Sequence, residues 1–124
     1  MITSPFTFIA TAEAISYVGA IPIFLDIEED TFNLDPDQVE DLLKGRWKSP
    51  GWGWATLPKA LLPVHLYGRS ANMGALRQIA ASFELKLIED CAQAIGSEHG
   101  GQRAGSWGRS SIGSRGERVG NTRD

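Results

Sequence analysis

The chain has 124 residues, enough for one domain whose core removes roughly two thirds of the unfolded surface from water. Twelve basic against fifteen acidic residues give a formal net charge of -3, which offers no broad positive field and argues against nucleic acid as a partner. A single cysteine, Cys91, excludes an intrachain disulfide and fits a reducing compartment. No window reaches the ~18 to 20 apolar residues of a membrane span, and Met1-Ile2-Thr3-Ser4-Pro5 lacks a leader pattern, so a soluble cytoplasmic protein is expected.

Residues 9–18 are alanine-rich and stop at Gly19, which predicts a short helix ended by a glycine free to take positive φ. Residues 21–25 follow as an apolar strand. Asp35-Pro36-Asp37-Gln38 predicts a helix start: Asp35 can accept from free amides, Pro36 loses nothing at the first helical position, and Gln38 completes a capping box. Val39, Leu42 and Leu43 supply its buried stripe, and it should stop near Gly45. Across residues 45–60, Gly45, Pro50, Gly51, Gly53 and Pro58 interrupt regular structure while Trp47, Trp52 and Trp54 crowd it, giving a packed loop, a poorly fitting insertion or an interaction loop.

Residues 61–66 regain strand character. Ser70 is placed to cap a helix whose Met73, Leu76, Ile79, Ala80 and Phe83 share one face, and residues 85–88 form the next strand. This alternation predicts an α/β fold with a mainly parallel sheet, as part of a three-layer α/β/α unit. In such a partial unit, open edges and uncovered apolar faces are expected to favour aggregation or assembly. Gly100-Gly101 predicts a tight hairpin. Beyond Trp107 neither helix nor strand periodicity is visible. Arg103, Arg109, Arg115, Arg118 and Arg123, offset only by Glu117 and Asp124, suit a solvated or disordered tail or an anion patch.

The run Leu87-Ile88-Glu89-Asp90-Cys91-Ala92-Gln93 places Asp90 and Gln93 at the carboxyl end of a strand, where open α/β sheets hold ligands. A carboxylate there can keep a heteroaromatic nitrogen protonated, which makes the ring a stronger electron sink. Helix capping and ordinary surface placement are the alternatives for Asp90. Gln93 could donate to a ring oxygen or face solvent from a helix. Phe8, across Thr7 from Phe6, could cover a flat ligand or pack in the core. His65 reads as a hydrogen-bonded structural histidine or an active-site neighbour. No metal site is expected, because His65 and His99 lie 34 residues apart and one cysteine adds no ligand spacing. Dinucleotide-binding, P-loop and nucleophile-elbow patterns do not occur.

Four segments in fixed order carry a family pattern: Ser4-Pro5-Phe6-Thr7-Phe8-Ile9-Ala10-Thr11, Gly19-Ala20-Ile21-Pro22-Ile23-Phe24-Leu25-Asp26, Pro63-Val64-His65-Leu66-Tyr67-Gly68 and Ile88-Glu89-Asp90-Cys91-Ala92-Gln93-Ala94. Together they resemble the DegT/StrS aminotransferases. The resemblance implies the aspartate aminotransferase fold, pyridoxal phosphate as cofactor, amination of nucleotide-linked keto sugars with glutamate as the usual donor, and homodimers with sites near the interface. Carried over by motif, Asp90 would bind the pyridine nitrogen, Gln93 would lie against the phenolic oxygen, and Phe8 would stack on the ring. Thr7 and Thr11 match family positions near the pocket, with no direct contact assigned, and His65 matches a neighbouring histidine.

On that basis residues 1–108 are expected to be a partial pyridoxal-phosphate-binding domain and residues 109–124 an irregular or disordered tail. The family begins earlier, with a glycine-threonine segment that helps hold the cofactor phosphate. It continues after Gly105-Ser106-Trp107-Gly108 to a lysine that holds the cofactor covalently. Here Arg109-Ser110-Ser111-Ile112-Gly113-Ser114-Arg115-Gly116-Glu117-Arg118 stands in that region, a break that an altered reading frame after Gly108 would produce. Lys44, Lys48, Lys59 and Lys86 all precede Asp90. A guanidinium, protonated and delocalised, cannot attack an aldehyde in a lysine's place. No catalytic residue is assigned. The expectation is a fragment inactive alone, partnered by its own copies or by a full-length family subunit. A noncatalytic cofactor-binding or regulatory module, or a nonfunctional remnant, is the alternative.

Overall fold

In the computed structural model, which describes residues 1–46 and 57–112, short strands alternate with helices as the apolar pattern requires. In chain order these are β1 (Ile2–Thr3), α1 (Ile9–Tyr17), β2 (Ile23–Phe24), α2 (Pro36–Leu43), β3 (Ala60–Leu61), a 3-10 turn (Leu66–Gly68), α3 (Met73–Ser82), β4 (Lys86–Asp90), β5 (Glu98–His99), β6 (Gln102–Arg103) and β7 (Ser110–Ile112). Five strands form one sheet in the order β2-β1-β3-β4-β7, and every pairing in it is parallel.

Neighbouring residues of a strand point to opposite faces, and that alternation divides the core. On one face Leu61 and Leu87 join Ile2, Ile23 and Leu25 beneath Val39 and Leu42 of α2 and Met73, Leu76 and Ala80 of α3. On the other, Ile15 of α1 packs on Leu62, Val64 and Leu66, with Ile88 alongside. Helices therefore cover both faces, the three-layer α/β/α arrangement that the sequence predicts. The outer side of α1 leaves Ile9 and Tyr17 exposed, followed by Val18 and Ile21. No described helix is long and apolar enough to cross a membrane.

Several local expectations are corrected. Asp35 does cap α2, accepting from the Asp37 amide at 2.9 Å, but Gln38 forms no capping box, because its Oε1 accepts instead from the Asp26 amide at 3.1 Å. Asn72, not Ser70, caps α3, accepting from the Ala75 amide at 3.3 Å. Ser70 donates its hydroxyl to the Ala71 carbonyl. The Gly100-Gly101 hairpin forms, both glycines at positive φ, with His99 opposite Gln102. Ser110–Ile112, in the stretch expected to be irregular, is a strand held beside β4 by parallel pairing and by the Arg109 amide donating to the Leu87 carbonyl at 3.0 Å. The tryptophan-rich segment at 47–56 and the rest of the tail at 113–124 lie outside the described residues.

The strand order fixes where a ligand can sit. β2 lies on one side of β1, and β3, β4 and β7 all lie on the other. Chains leaving β1 and β3 thus diverge and open a crevice at the carboxyl ends of the strands, the switch point at which open α/β sheets bind ligands.

Candidate functional site

A cavity of about 250 Å³ occupies that crevice. It is lined by Pro5, Phe6, Thr7 and Phe8 after β1, by Leu66 and Tyr67 after Val64, and by Gln93 after β4. Phe8 is the residue before α1 and is 69% exposed, so its ring belongs to the cavity wall and not to the core. Phe6 is engaged differently, with ring centroids 6.0 Å from Phe32 and 6.5 Å from Tyr67. Tyr67 holds a left-handed backbone, φ 52 and ψ 34, in which a bulky side chain is strained. Its amide donates to Gln93 Oε1 at 3.2 Å. With the amide oxygen so engaged, the Gln93 side-chain N–H group is the part able to donate to a ligand. Residues 92–93 form a turn, so the helical placement of Gln93 is set aside.

Asp90 ends β4 on the α1 face of the sheet, as Ile88 does two residues earlier. Its main chain is fixed on both sides: the amide donates to Pro63 at 3.0 Å and the carbonyl accepts from His65 at 2.9 Å. Its carboxylate is fixed too. Oδ1 accepts from the Ala92 amide at 3.1 Å and Oδ2 from the Thr11 hydroxyl at 3.0 Å. Thr7 Oγ1 lies 3.1 Å from Thr11 Oγ1. Since the single Thr11 proton is given to Asp90, Thr7 is the donor of that pair. A hydrogen-bonded line therefore runs from the cavity wall at Thr7 to Asp90, which does not itself line the cavity. The capping alternative for Asp90 reduces to capping one turn.

Glu89, one residue earlier, points to the opposite face and carries a second constellation that the sequence reading left unassigned. It is completely buried. Oε1 accepts from the amides of Trp107 and Gly108 at 2.7 and 2.6 Å, and Oε2 from the Gly105 amide at 2.7 Å. His65 Nε2 is 3.1 Å from Oε2. Nδ1 of the same ring accepts from the Ala71 amide at 3.0 Å, so the ring hydrogen sits on Nε2 and is donated to Glu89. Burial alone would push the Glu89 carboxyl up, but the bonds from His65, Gly105, Gly108 and Trp107 outweigh it and hold the group below its ordinary value. The signal available in the sequence was an acidic residue inside an apolar strand, with a glycine-rich stretch containing Gly105 and Gly108 downstream.

Cys91 is buried beside this pair. Burial first, then the charges of Glu89 and Asp90, push its thiol up to about 12. Ligand atoms of His65, Glu89 and Cys91 lie within 4.8 Å of one another. Four donors already engage the two oxygens of Glu89, and His65 uses both ring nitrogens, so the arrangement is that of a hydrogen-bonded core.

Known proteins resemble this chain over most of its length. The model of the DegT/DnrJ/EryC1/StrS aminotransferase family matches residues 1–114. A pleiotropic regulatory protein of Geobacillus stearothermophilus is 44% identical over 108 residues, covering 87% of this chain and 26% of that protein. The UDP-N-acetyl-3-dehydro-alpha-D-glucosamine 3-aminotransferase of Acidithiobacillus ferrooxidans is 42% identical over 108 residues, with the same two coverages of 87% and 26%. Among solved structures, a DegT DnrJ EryC1 StrS aminotransferase from Brucella abortus superimposes with a TM-score of 0.80 at 34% identity, over 90% of this chain and 29% of that one. DesI with its TDP-sugar product gives 0.73 at 37% identity, over 90% and 26%. The chain thus spans about a quarter of the length of the curated relatives it matches. Its parallel sheet with helices on both faces is that of the aspartate aminotransferase fold. The chain belongs to the DegT/DnrJ/EryC1/StrS aminotransferase family.

Proposed function

We propose that this chain contributes the ring-binding wall of a pyridoxal phosphate site in a cytoplasmic aminotransferase acting on nucleotide-linked keto sugars, with glutamate as amino donor. The observation that carries the reading is convergence: Phe8, Gln93 and the Thr7–Thr11–Asp90 line, drawn from two motifs about 80 residues apart, meet at one switch-point crevice. The residues fit the ring of that cofactor. Phe8 offers an exposed flat face, Gln93 a donor for a phenolic oxygen, and Asp90 a fixed carboxylate with unused lone pairs for a ring N–H. Pyridoxal phosphate, when bound, supplies an electron-accepting ring. The protein's part is to hold that ring flat and keep its nitrogen charge-paired.

The 124 residues have no lysine after Asp90, so the isolated chain is proposed not to transaminate. Its partners would be a second copy or a full-length family subunit. Absorbance titration with stoichiometric pyridoxal phosphate tests the reading. Reversible uptake without borohydride-fixable attachment supports it. Fixable attachment with transaminase turnover would overturn the inactivity, and no uptake, alone or beside a full-length subunit, would overturn the site. A noncatalytic regulatory module, which the name of the Geobacillus relative brings into view, would be favoured by uptake that changes the activity of a full-length subunit without restoring any of its own.

A further inference from the structure

We infer that Thr11 is a positioning residue for Asp90, fixing the distance between the ring-stacking Phe8 and the carboxylate that faces the ring nitrogen. This inference rests on the proposed cofactor site. Helix α1 buries only two of its residues, Thr11 and Ile15. Burying a hydroxyl is unfavourable unless it is hydrogen-bonded, and a helical threonine ordinarily returns its proton to the carbonyl four residues back. Thr11 instead donates to Asp90 Oδ2, 79 residues away in sequence, at 3.0 Å.

The bond has a geometric consequence. Phe8 immediately precedes the first residue of α1, and Thr11 lies within the first turn, so both ride on one rigid element. Asp90 is locked to β3's continuation through Pro63 and His65. The Thr11–Asp90 bond is the polar tie between these two bodies at the crevice. Thr7, which lines the cavity, donates in turn to Thr11 at 3.1 Å, orienting the Thr11 proton toward Asp90. With Oδ2 held by Thr11 and Oδ1 by the Ala92 amide, the carboxylate cannot rotate without breaking a bond.

Thr11→Val removes the hydroxyl at nearly constant volume, and Thr11→Ser restores it without the methyl. Amide correlation spectra of the whole chain report on the Ala92 N–H, which binds the other carboxylate oxygen. In Thr11→Val the Ala92 signal should shift and its hydrogen exchange should quicken about fivefold, and Thr11→Ser should restore both. Pyridoxal phosphate affinity should weaken about fivefold in Thr11→Val, with no further loss when Thr11→Val is added to Asp90→Asn. If the wild-type chain takes up no pyridoxal phosphate while the Ala92 response holds, Thr11 still positions Asp90 and only the cofactor reading fails. The inference is overturned if Ala92 ignores Thr11→Val, if Thr11→Ser behaves like Thr11→Val, or if the affinity losses of Thr11→Val and Asp90→Asn simply add.

Discussion

Replacing Glu89 by glutamine keeps the shape of the side chain and removes one of its two acceptor oxygens. Trp107 and Gly108 donate to one oxygen, Gly105 and His65 to the other. Whichever way the new amide turns, two donors meet an NH2 group in place of an oxygen. His65 cannot escape by moving its hydrogen to Nδ1, because Nδ1 accepts from the Ala71 amide. A buried donor left without an acceptor costs about 1 to 3 kcal/mol, so two give about 2 to 6 kcal/mol. That is a large share of the roughly 5 to 15 kcal/mol that holds a small domain folded. Urea unfolding followed by circular dichroism should show a midpoint lowered in proportion, with the slope unchanged if the unfolded state is unaltered. A loss below about 1 kcal/mol would refute the claim that Glu89 anchors residues 105–108.

Acid should weaken the same node. Folded Glu89 holds its proton less tightly than the unfolded chain does, so its contribution is complete above the ordinary value of 4.5 and drains away as pH falls through the lower folded value. Urea midpoints measured from neutral to acid pH should fall less steeply in Glu89→Gln than in the wild type, and equal slopes would contradict this. Gly108→Ala would set a Cβ 2.6 Å from the Leu87 carbonyl oxygen. Backbone must then move, at a cost of about 1 to 3 kcal/mol, and an unchanged urea midpoint would count against the close approach. Cys91, buried and with its thiol pushed up to about 12, should resist iodoacetamide in the folded protein at mildly alkaline pH and react once urea is added; rapid alkylation of the folded chain would show that the thiol is accessible.

The fold was legible wherever apolar periodicity and turn chemistry agreed. Val39 and Leu42 of α2, Met73, Leu76 and Ala80 of α3, and the Gly100-Gly101 hairpin lie where the sequence predicts. β7 was not legible, because Arg109-Ser110-Ser111 has no apolar alternation; its place is set by backbone pairing to Ile88, Glu89 and Asp90. Capping was legible at Asp35, next to Pro36, but at α3 two polar residues compete, and only tertiary context selects Asn72 over Ser70. At the site, the motifs marked Phe8, Asp90 and Gln93. They could not show that Thr11 would turn its proton toward Asp90, nor that Glu89 would collect amides from three residues far along the chain. Such partners depend on which elements the sheet order brings together, and local spacing carries no trace of that order.

The central claim is that the crevice holds a cofactor ring between Phe8 and Asp90. Its most direct test is the pyridoxal phosphate dissociation constant of the wild-type chain, Asp90→Asn, Phe8→Ala and His65→Gln, each checked for equal folding by circular dichroism. Loss of a charge-assisted contact is worth about 1.5 to 3 kcal/mol, so Asp90→Asn should weaken binding at least about tenfold. Phe8→Ala should also weaken it by uncovering the ring, and His65→Gln, acting from the Glu89 side of the sheet, should change it less than Asp90→Asn. Unchanged affinity in both Asp90→Asn and Phe8→Ala would contradict the account.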